Sequence, residues 1–248
     1  MKYLLTNFKT NKNWTEINSY FNELQSYYDN NKQQCNNHTV FFLNALYAFV
    51  TEMHFSNYQI GCQSGSELGT GAFTSSISLE QLSAENINHI LLGHSEEYKY
   101  FNQTLSRVNK AVIKSLELGL KVYLCFGNQD EILDDNELTS HLLVQLNELL
   151  ANINPEKFTN IVLAYEPIYA IGTNKAMSSV QANNVIKKLK QNLFDKYKHN
   201  FPIVYGGSVN LTNIHDFISS ENIDGVLVGK EALEVSKMKE MISIVYGK

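Results

Sequence analysis

The 248-residue chain reads as one (β/α)₈ barrel, and three observations predict it. Short apolar, β-branched runs alternate with amphipathic stretches from end to end, at about 30 residues per repeat. No composition shift and no Pro/Gly/Ser linker breaks that alternation, so the expected domain is the whole span 1–248. Polar residues and glycines gather just past the ends of the apolar runs, where such a barrel carries its chemistry.

Lys2–Thr6 is the first strand, and Thr15 is read as the cap of a helix that sets Ile17, Phe21 and Leu24 on one face. Thr39–Leu43 is the second strand, followed by a short, largely apolar helix over Leu46–Met53. Tyr58–Cys62 is the third, and the loop behind it, about 63–77, is long and rich in Ser, Gly and Thr. Ser78 and Gln81 have the spacing of a capping box, which starts the next helix. His89–Leu92 is the fourth strand, ended by Gly93-His94-Ser95-Glu96. A helix over Leu105–Leu118 stops at Gly119, and Lys121–Phe126 is the fifth strand. A polar helix to about Ala151 leads to the sixth strand, Ile161–Tyr165. A Lys-rich helix over Ser179–Phe194 precedes the seventh, Ile203–Tyr205, with Gly206-Gly207-Ser208 behind it. Gly225–Val228 is the eighth, ending at Gly229, and the closing helix carries Leu233, Val235 and Met238. An open doubly wound sheet is the alternative, but a dinucleotide fold calls for G-x-G-x-x-G after its first strand and Asn7-Phe8-Lys9 stands there.

Composition removes several function classes. Apolar residues make up 44% and charged residues 18%, as in ordinary globular chains. A formal charge of −5 argues against a nucleic-acid partner, which calls for a basic face. No apolar run approaches a membrane span, and Tyr3-Leu4-Leu5 is too short for a signal peptide, so no membrane partner and a cytoplasmic location are expected. Cys35, Cys62 and Cys125 are odd in number and far apart, which fits a reduced compartment without a disulfide framework and gives no metal-ligand spacing.

The sixth strand ends in a lone acid, Glu166, followed at once by Pro167. The next segment, about 167–177, is apolar through Ile168-Tyr169-Ala170-Ile171 and then turns through Gly172-Thr173-Asn174, the composition of a lid. In a barrel the ends of strands 1, 4, 6, 7 and 8 open on one mouth, which joins Asn7, Lys9, His94, Glu96, Glu166, Gly206-Gly207-Ser208 and Gly229-Lys230. That set offers a base, an imidazole, a cation and two glycine turns whose backbone N–H groups suit a phosphate. Each has a plainer reading alone: a solvated lysine, a junction histidine, a pair of glycines that only turn the chain. Their convergence beside a lid favours a site.

Asn7-Phe8-Lys9, Gly93-His94-Ser95-Glu96, Ala164-Tyr165-Glu166-Pro167-Ile168-Tyr169-Ala170-Ile171-Gly172-Thr173, Tyr205-Gly206-Gly207-Ser208-Val209 and Asp224-Gly225-Val226-Leu227-Val228-Gly229 resemble the signature segments of the triosephosphate isomerases. The resemblance spans the chain, in order and at that family's spacing. It implies a single-domain TIM barrel that interconverts dihydroxyacetone phosphate and D-glyceraldehyde 3-phosphate through a cis-enediolate, in glycolysis and gluconeogenesis, without metal or organic cofactor. By the same resemblance Glu166 is the base, neutral His94 polarises the carbonyl, and Lys9 and Asn7 offset the oxyanion. Gly172, Ser208, Gly229 and Lys230 hold the phosphate through backbone N–H groups, with Glu96 in support. The resemblance also implies a homodimer built on the third loop, with Thr74 reaching the neighbouring subunit's site.

The chain departs from the family's pattern at several positions, none of them a proton-transfer residue. Tyr169 stands for a tryptophan in the lid's first hinge, Asn174 for its second glycine, and Lys230 for the second glycine of the last phosphate turn. Glu97 stands for an arginine, and Ser75 and Ser76 for a glycine and for the acid resembling that arginine's partner, so both members of the pair are replaced. Gln103 and Asn128 occupy two further positions usually acidic. These changes predict altered loop support under a retained dimer. Two other functions compete: a different phosphosugar enzyme on the same barrel, which does not need Glu166 with this lid, and a non-catalytic descendant, which predicts loss of the acid, imidazole or cation.

Overall fold

Eight parallel strands close on one another in chain order, with the first hydrogen-bonded to both the second and the last. They are β1 (Tyr3–Asn7), β2 (Thr39–Leu43), β3 (Gln59–Cys62), β4 (His89–Leu92), β5 (Lys121–Asn128), β6 (Ile161–Pro167), β7 (Ile203–Tyr205) and β8 (Gly225–Val228). The computed structural model describes residues 2–30, 38–170 and 176–247. Cys35 therefore lies outside the described residues, while Cys62 and Cys125 are buried free thiols.

Helices wrap the barrel: α1 (Trp14–Asn30), α2 (Ala45–His54), α3 (Leu79–Ala84), α4 (Ser95–Tyr100), α5 (Leu105–Glu117), α6 (Asp135–Leu149), α7 (Ser179–Tyr197), α8 (Ile214–Ser219) and α9 (Val235–Tyr246). Their apolar stripes pack outward-facing strand residues such as Leu4, Phe41 and Leu163 into one layer. A second, smaller cluster fills the inside of the barrel, where Tyr3, Leu5, Phe42, Tyr123, Val162 and Ala164 meet at the two-residue period of a strand.

Several boundaries differ from the sequence reading, each for a local reason. α1 starts one residue before Thr15, and its cap is Asn13: Asn13 Oδ1 accepts the Glu16 N–H at 3.1 Å while Glu16 Oε2 accepts the Asn13 N–H at 2.9 Å. That is a capping box with asparagine in the serine position. Ser78 caps α3 as expected, accepting the Gln81 N–H at 3.4 Å, but its hydroxyl donates to Glu80 at 2.9 Å. α7 runs past Phe194 because Lys198 adopts φ +53° and turns its N–H back to the Phe194 carbonyl at 2.8 Å. The short helices α4 and α8 lack a repeating apolar stripe, and α8 has no counterpart in the sequence reading. The closing segment is two pieces, a 3₁₀ turn over Lys230–Leu233 and then α9.

Candidate active site

The inward-facing column of β1 runs Tyr3, Leu5, and that of β6 runs Val162, Ala164. One more step of the same alternation brings Asn7 and Glu166 to the mouth, both buried. On β7 and β8 the corresponding steps after Val204 and Leu227 reach Gly206 and Gly229. A Cβ at Gly206 would stand 3.3 Å from Glu166 Cγ, and one at Gly229 would stand 3.9 Å from Lys9 Cε. Two strands thus supply side chains to the mouth and two withhold them. The result is a cavity of about 300 Å³ whose walls include Asn7, Lys9, His94, Glu166, Ser208, Gly229 and Lys230.

Within it, Glu166 is 2% exposed and its two oxygens have different environments. Oε2 accepts the backbone N–H of Ser95 at 3.0 Å. Oε1 lies 3.1 Å from His94 Nε2, but outside hydrogen-bonding direction, so among the described residues it has no donor. His94 is the N-cap of α4, and its Nδ1 accepts the Glu96 N–H at 3.3 Å. With Nδ1 an acceptor, the neutral ring carries its proton on Nε2, on the side of the base.

Lys9 follows β1 with φ +52°, a left-handed conformation unusual for a side-chain-bearing residue and costly by about 1–3 kcal/mol. Asn7 Oδ1 supports it by accepting the Lys9 N–H at 3.0 Å. The turn aims the ammonium at Glu96 Oε1, 2.7 Å away, and the other oxygen of Glu96 lies 3.6 Å from His94 Nδ1. Lys9 and Glu96 therefore form an ion pair along one wall, with the His94 ring beside it.

Of the phosphate residues expected from sequence, Ser208, Gly229 and Lys230 line this cavity, and Gly172 lies outside the described residues. The Ser208 hydroxyl also donates to the Ala170 carbonyl at 2.6 Å, which ties the glycine turn to the near flank of the expected lid. The far flank is held by Met177, whose N–H donates to the Tyr205 hydroxyl at 3.1 Å. Asn128, at the end of β5, accepts from the Tyr165 hydroxyl at 2.9 Å beneath the same segment. Asn174 is outside the described residues.

Thr74 is exposed and stands on the third loop, away from its own chain's cavity. The altered positions around that loop differ in their surroundings. Arg107 of α5 reaches Glu67 at 2.6 Å, bracing the loop from another helix. The Ser76 hydroxyl is buried without a hydrogen-bond partner among the described residues. Glu97 turns inward, its Oε2 accepting the Gly93 N–H at 3.0 Å, and burial pushes its carboxyl up to about 7. Ser75 sits at φ +73°, where glycine rests without strain. Ser75→Gly is therefore expected to stabilise the protein by about 0.5–1 kcal/mol, the relief of left-handed strain less the entropy that glycine loses on folding. A urea midpoint unchanged or lowered in that variant would show that the loop bears no such strain.

Sequence reasoning missed the Ser95 N–H as the anchor of Glu166 and the Gly93 N–H as the anchor of Glu97. The serine sat inside a motif already singled out, but a backbone donor carries no residue-type signal.

A family model described as triosephosphate isomerase matches residues 2–245. A triosephosphate isomerase of Mycoplasma genitalium is 32% identical over 250 aligned positions, covering 98% of either chain. One from Mycoplasma pneumoniae is 31% identical over the same span. One from Alkaliphilus metalliredigens is 40% identical over 186 positions, covering 72% of this chain and 74% of its own.

Proposed function

The chain belongs to the triosephosphate isomerase family, and from that premise we propose that Glu166, His94, Lys9 and Asn7 carry its reaction. That reaction is the interconversion of dihydroxyacetone phosphate and D-glyceraldehyde 3-phosphate. Glu166 Oε1 takes the proton from the carbon beside the carbonyl, the electron pair moves into the carbonyl, and the oxygen becomes the oxyanion of a cis-enediolate. The His94 Nε2–H donates to that oxygen, and Lys9 and Asn7 offset its charge. His94 passes its proton to that oxygen and takes the hydroxyl proton from the oxygen of the neighbouring carbon, which moves the negative charge across. Protonated Glu166 then returns its proton to the carbon that bore the first carbonyl, the second oxygen becomes the new carbonyl, and the isomerisation closes with no group consumed.

The observation behind this reading is the Oε1 atom of Glu166, buried without a donor among the described residues and 3.1 Å from His94 Nε2, in the cavity that also holds Lys9. The backbone N–H groups of Gly172, Ser208, Gly229 and Lys230 bind the phosphate. Segment 167–177 acts as a lid over it, excluding water from an intermediate prone to lose phosphate. The bonds from Ser208 to Ala170 and from Met177 to Tyr205 support that role, since they fix both flanks of the segment. The test is turnover of glyceraldehyde 3-phosphate, coupled to a reporter of dihydroxyacetone phosphate, with wild type run beside Glu166→Gln. Equal rates would remove Glu166 from the mechanism.

The proposal extends to a homodimer in the cytoplasm. A groove of about 690 Å³ runs beside Lys9 and His94 and is walled by Tyr100 and Phe101. Phe101 is 74% exposed, and Leu46 and Met53 on α2 are 66% and 68% exposed, apolar side chains that a partner surface would cover. The third loop of a second copy, led by Phe73 and Thr74, fits such a groove. Sedimentation at micromolar concentration is expected to give a dimer, and Phe73→Asp to weaken it; a wild-type monomer under those conditions would overturn this part.

A further inference from the structure

The turn Gly93-His94-Ser95-Glu96 spends its backbone N–H groups on the groups of the site. The Gly93 N–H goes to Glu97 Oε2 at 3.0 Å, the Ser95 N–H to Glu166 Oε2 at 3.0 Å, and the Glu96 N–H to His94 Nδ1 at 3.3 Å. Two carboxylates therefore hang on donors two residues apart, a reach of at most about 7 Å of extended chain. Glu97 shares this turn with the base, although it lies on the side of the third loop, walled by Ser64, Ser75 and Ile77.

No cation among the described residues neutralises it. Among the described residues Glu97 forms no ion pair; Arg107 on the same wall is committed to Glu67, and Lys9 to Glu96. From β3 it faces Cys62, whose thiol burial pushes up to about 11, and from β5 Cys125, whose thiol burial also raises. Tyr98, beside it on α4, is likewise raised by burial and stays neutral. The charged neighbour left is Glu166 on β6, and that coupling destabilises the Glu97 anion.

Building on the roles proposed for Glu166 and His94, we propose that Glu97 is a positioning residue whose negative charge, held behind the Gly93–Ser95 turn, assists proton transfer to Glu166. When Glu166 accepts the substrate's proton, one of two like charges on the turn disappears and the charge moves to the oxyanion beside Lys9. An ionised Glu97 favours that movement, and a protonated Glu97 does not. The carboxyl titrates at about 7, within the working range, because burial and Glu166 outweigh the Gly93 and His94 N–H groups.

The experiment compares kcat at saturating substrate for wild type and Glu97→Gln from pH 5.5 to 9, with Glu166→Gln as a companion. The amide keeps an acceptor for the Gly93 N–H and lacks the charge. The expected ratio of wild type to Glu97→Gln is close to one on the acid side and rises about threefold through pH 7, a modest Brønsted response to one neighbouring charge. A ratio that is the same at every pH would mean that Glu97 only holds the turn, and overturns the proposal. If Glu166→Gln keeps full activity, the reading of the base falls, and this proposal with it. Should Glu97→Gln fail to fold, infrared spectra of wild type decide: a protonated carboxyl band present at pH 5.5 and lost near pH 7 supports the proposal, and no such band overturns it.

Discussion

Glu166→Gln is expected to lower kcat by at least 10³-fold while leaving KM within a few-fold of wild type, toward the upper part of the roughly 10²–10⁴ range of a general base. The substitution preserves volume, so the packing of β6 against Gly127 and Gly206 is undisturbed. Its amide oxygen takes over the Ser95 N–H, as Oε2 does now. The amide nitrogen then falls where Oε1 stood, 3.1 Å from His94 Nε2, and two donors face each other where an acceptor was. An amide nitrogen cannot accept a proton from carbon. The same coupled assay reads the change, with circular dichroism to show that the fold is intact. A loss below tenfold would mean that another group takes the proton, and Glu231, which also lines the cavity, would be the next to replace.

The groups proposed to carry the reaction were legible in the sequence as neighbours because each stands where an apolar run stops, and a barrel turns eight such stops into one mouth. Alternation within the runs sharpens this: Tyr3 and Leu5 point to Asn7, and Val162 and Ala164 point to Glu166. What escaped were contacts that depend on backbone donors. Glu166 is anchored 71 positions away by the Ser95 N–H, and Glu97 by the Gly93 N–H, and no residue type announces either bond. Strand ends failed in the same way. β5 continues through Gly127 and Asn128 because their partners on β6 are Glu166 and Pro167, while their own side chains look like a loop. The Asn13 cap was hidden by Thr15, a commoner signal two residues on, and only the Glu16 bond decides between them. The exchange at Glu97, Ser75 and Ser76 was visible as a lost pair; its consequence, a carboxyl held by the Gly93 N–H, required the geometry.

Lys9→Met is expected to lower kcat/KM by about 10³-fold, and here both KM and kcat should suffer. Two lines of reasoning agree on the size. A unit charge about 4 Å from an oxyanion at an effective dielectric of 20 is worth about 4 kcal/mol, and the loss of a preorganised donor typically costs about 10²–10³ in turnover. The substrate's phosphate loses the same cation, which carries part of the effect into KM. Methionine keeps the length of the stem against Gly229 and leaves the strained φ of +52° as it is, so the fold sees little change. The competing explanation is that Lys9 matters only by restraining Glu96, which would be left unpaired. Glu96 is 40% exposed, and water can solvate a carboxylate there, so that cost should be small. A double-mutant cycle with Glu96→Gln separates the two. If Lys9→Met with Glu96→Gln recovers most of the activity, the lysine acts by neutralising its partner; if the double variant is as slow as Lys9→Met alone, the ammonium acts on the substrate. The second outcome carries a further signature, because a cation that attracts a phosphorylated substrate makes kcat/KM fall with added salt, and the variant should lose most of that dependence.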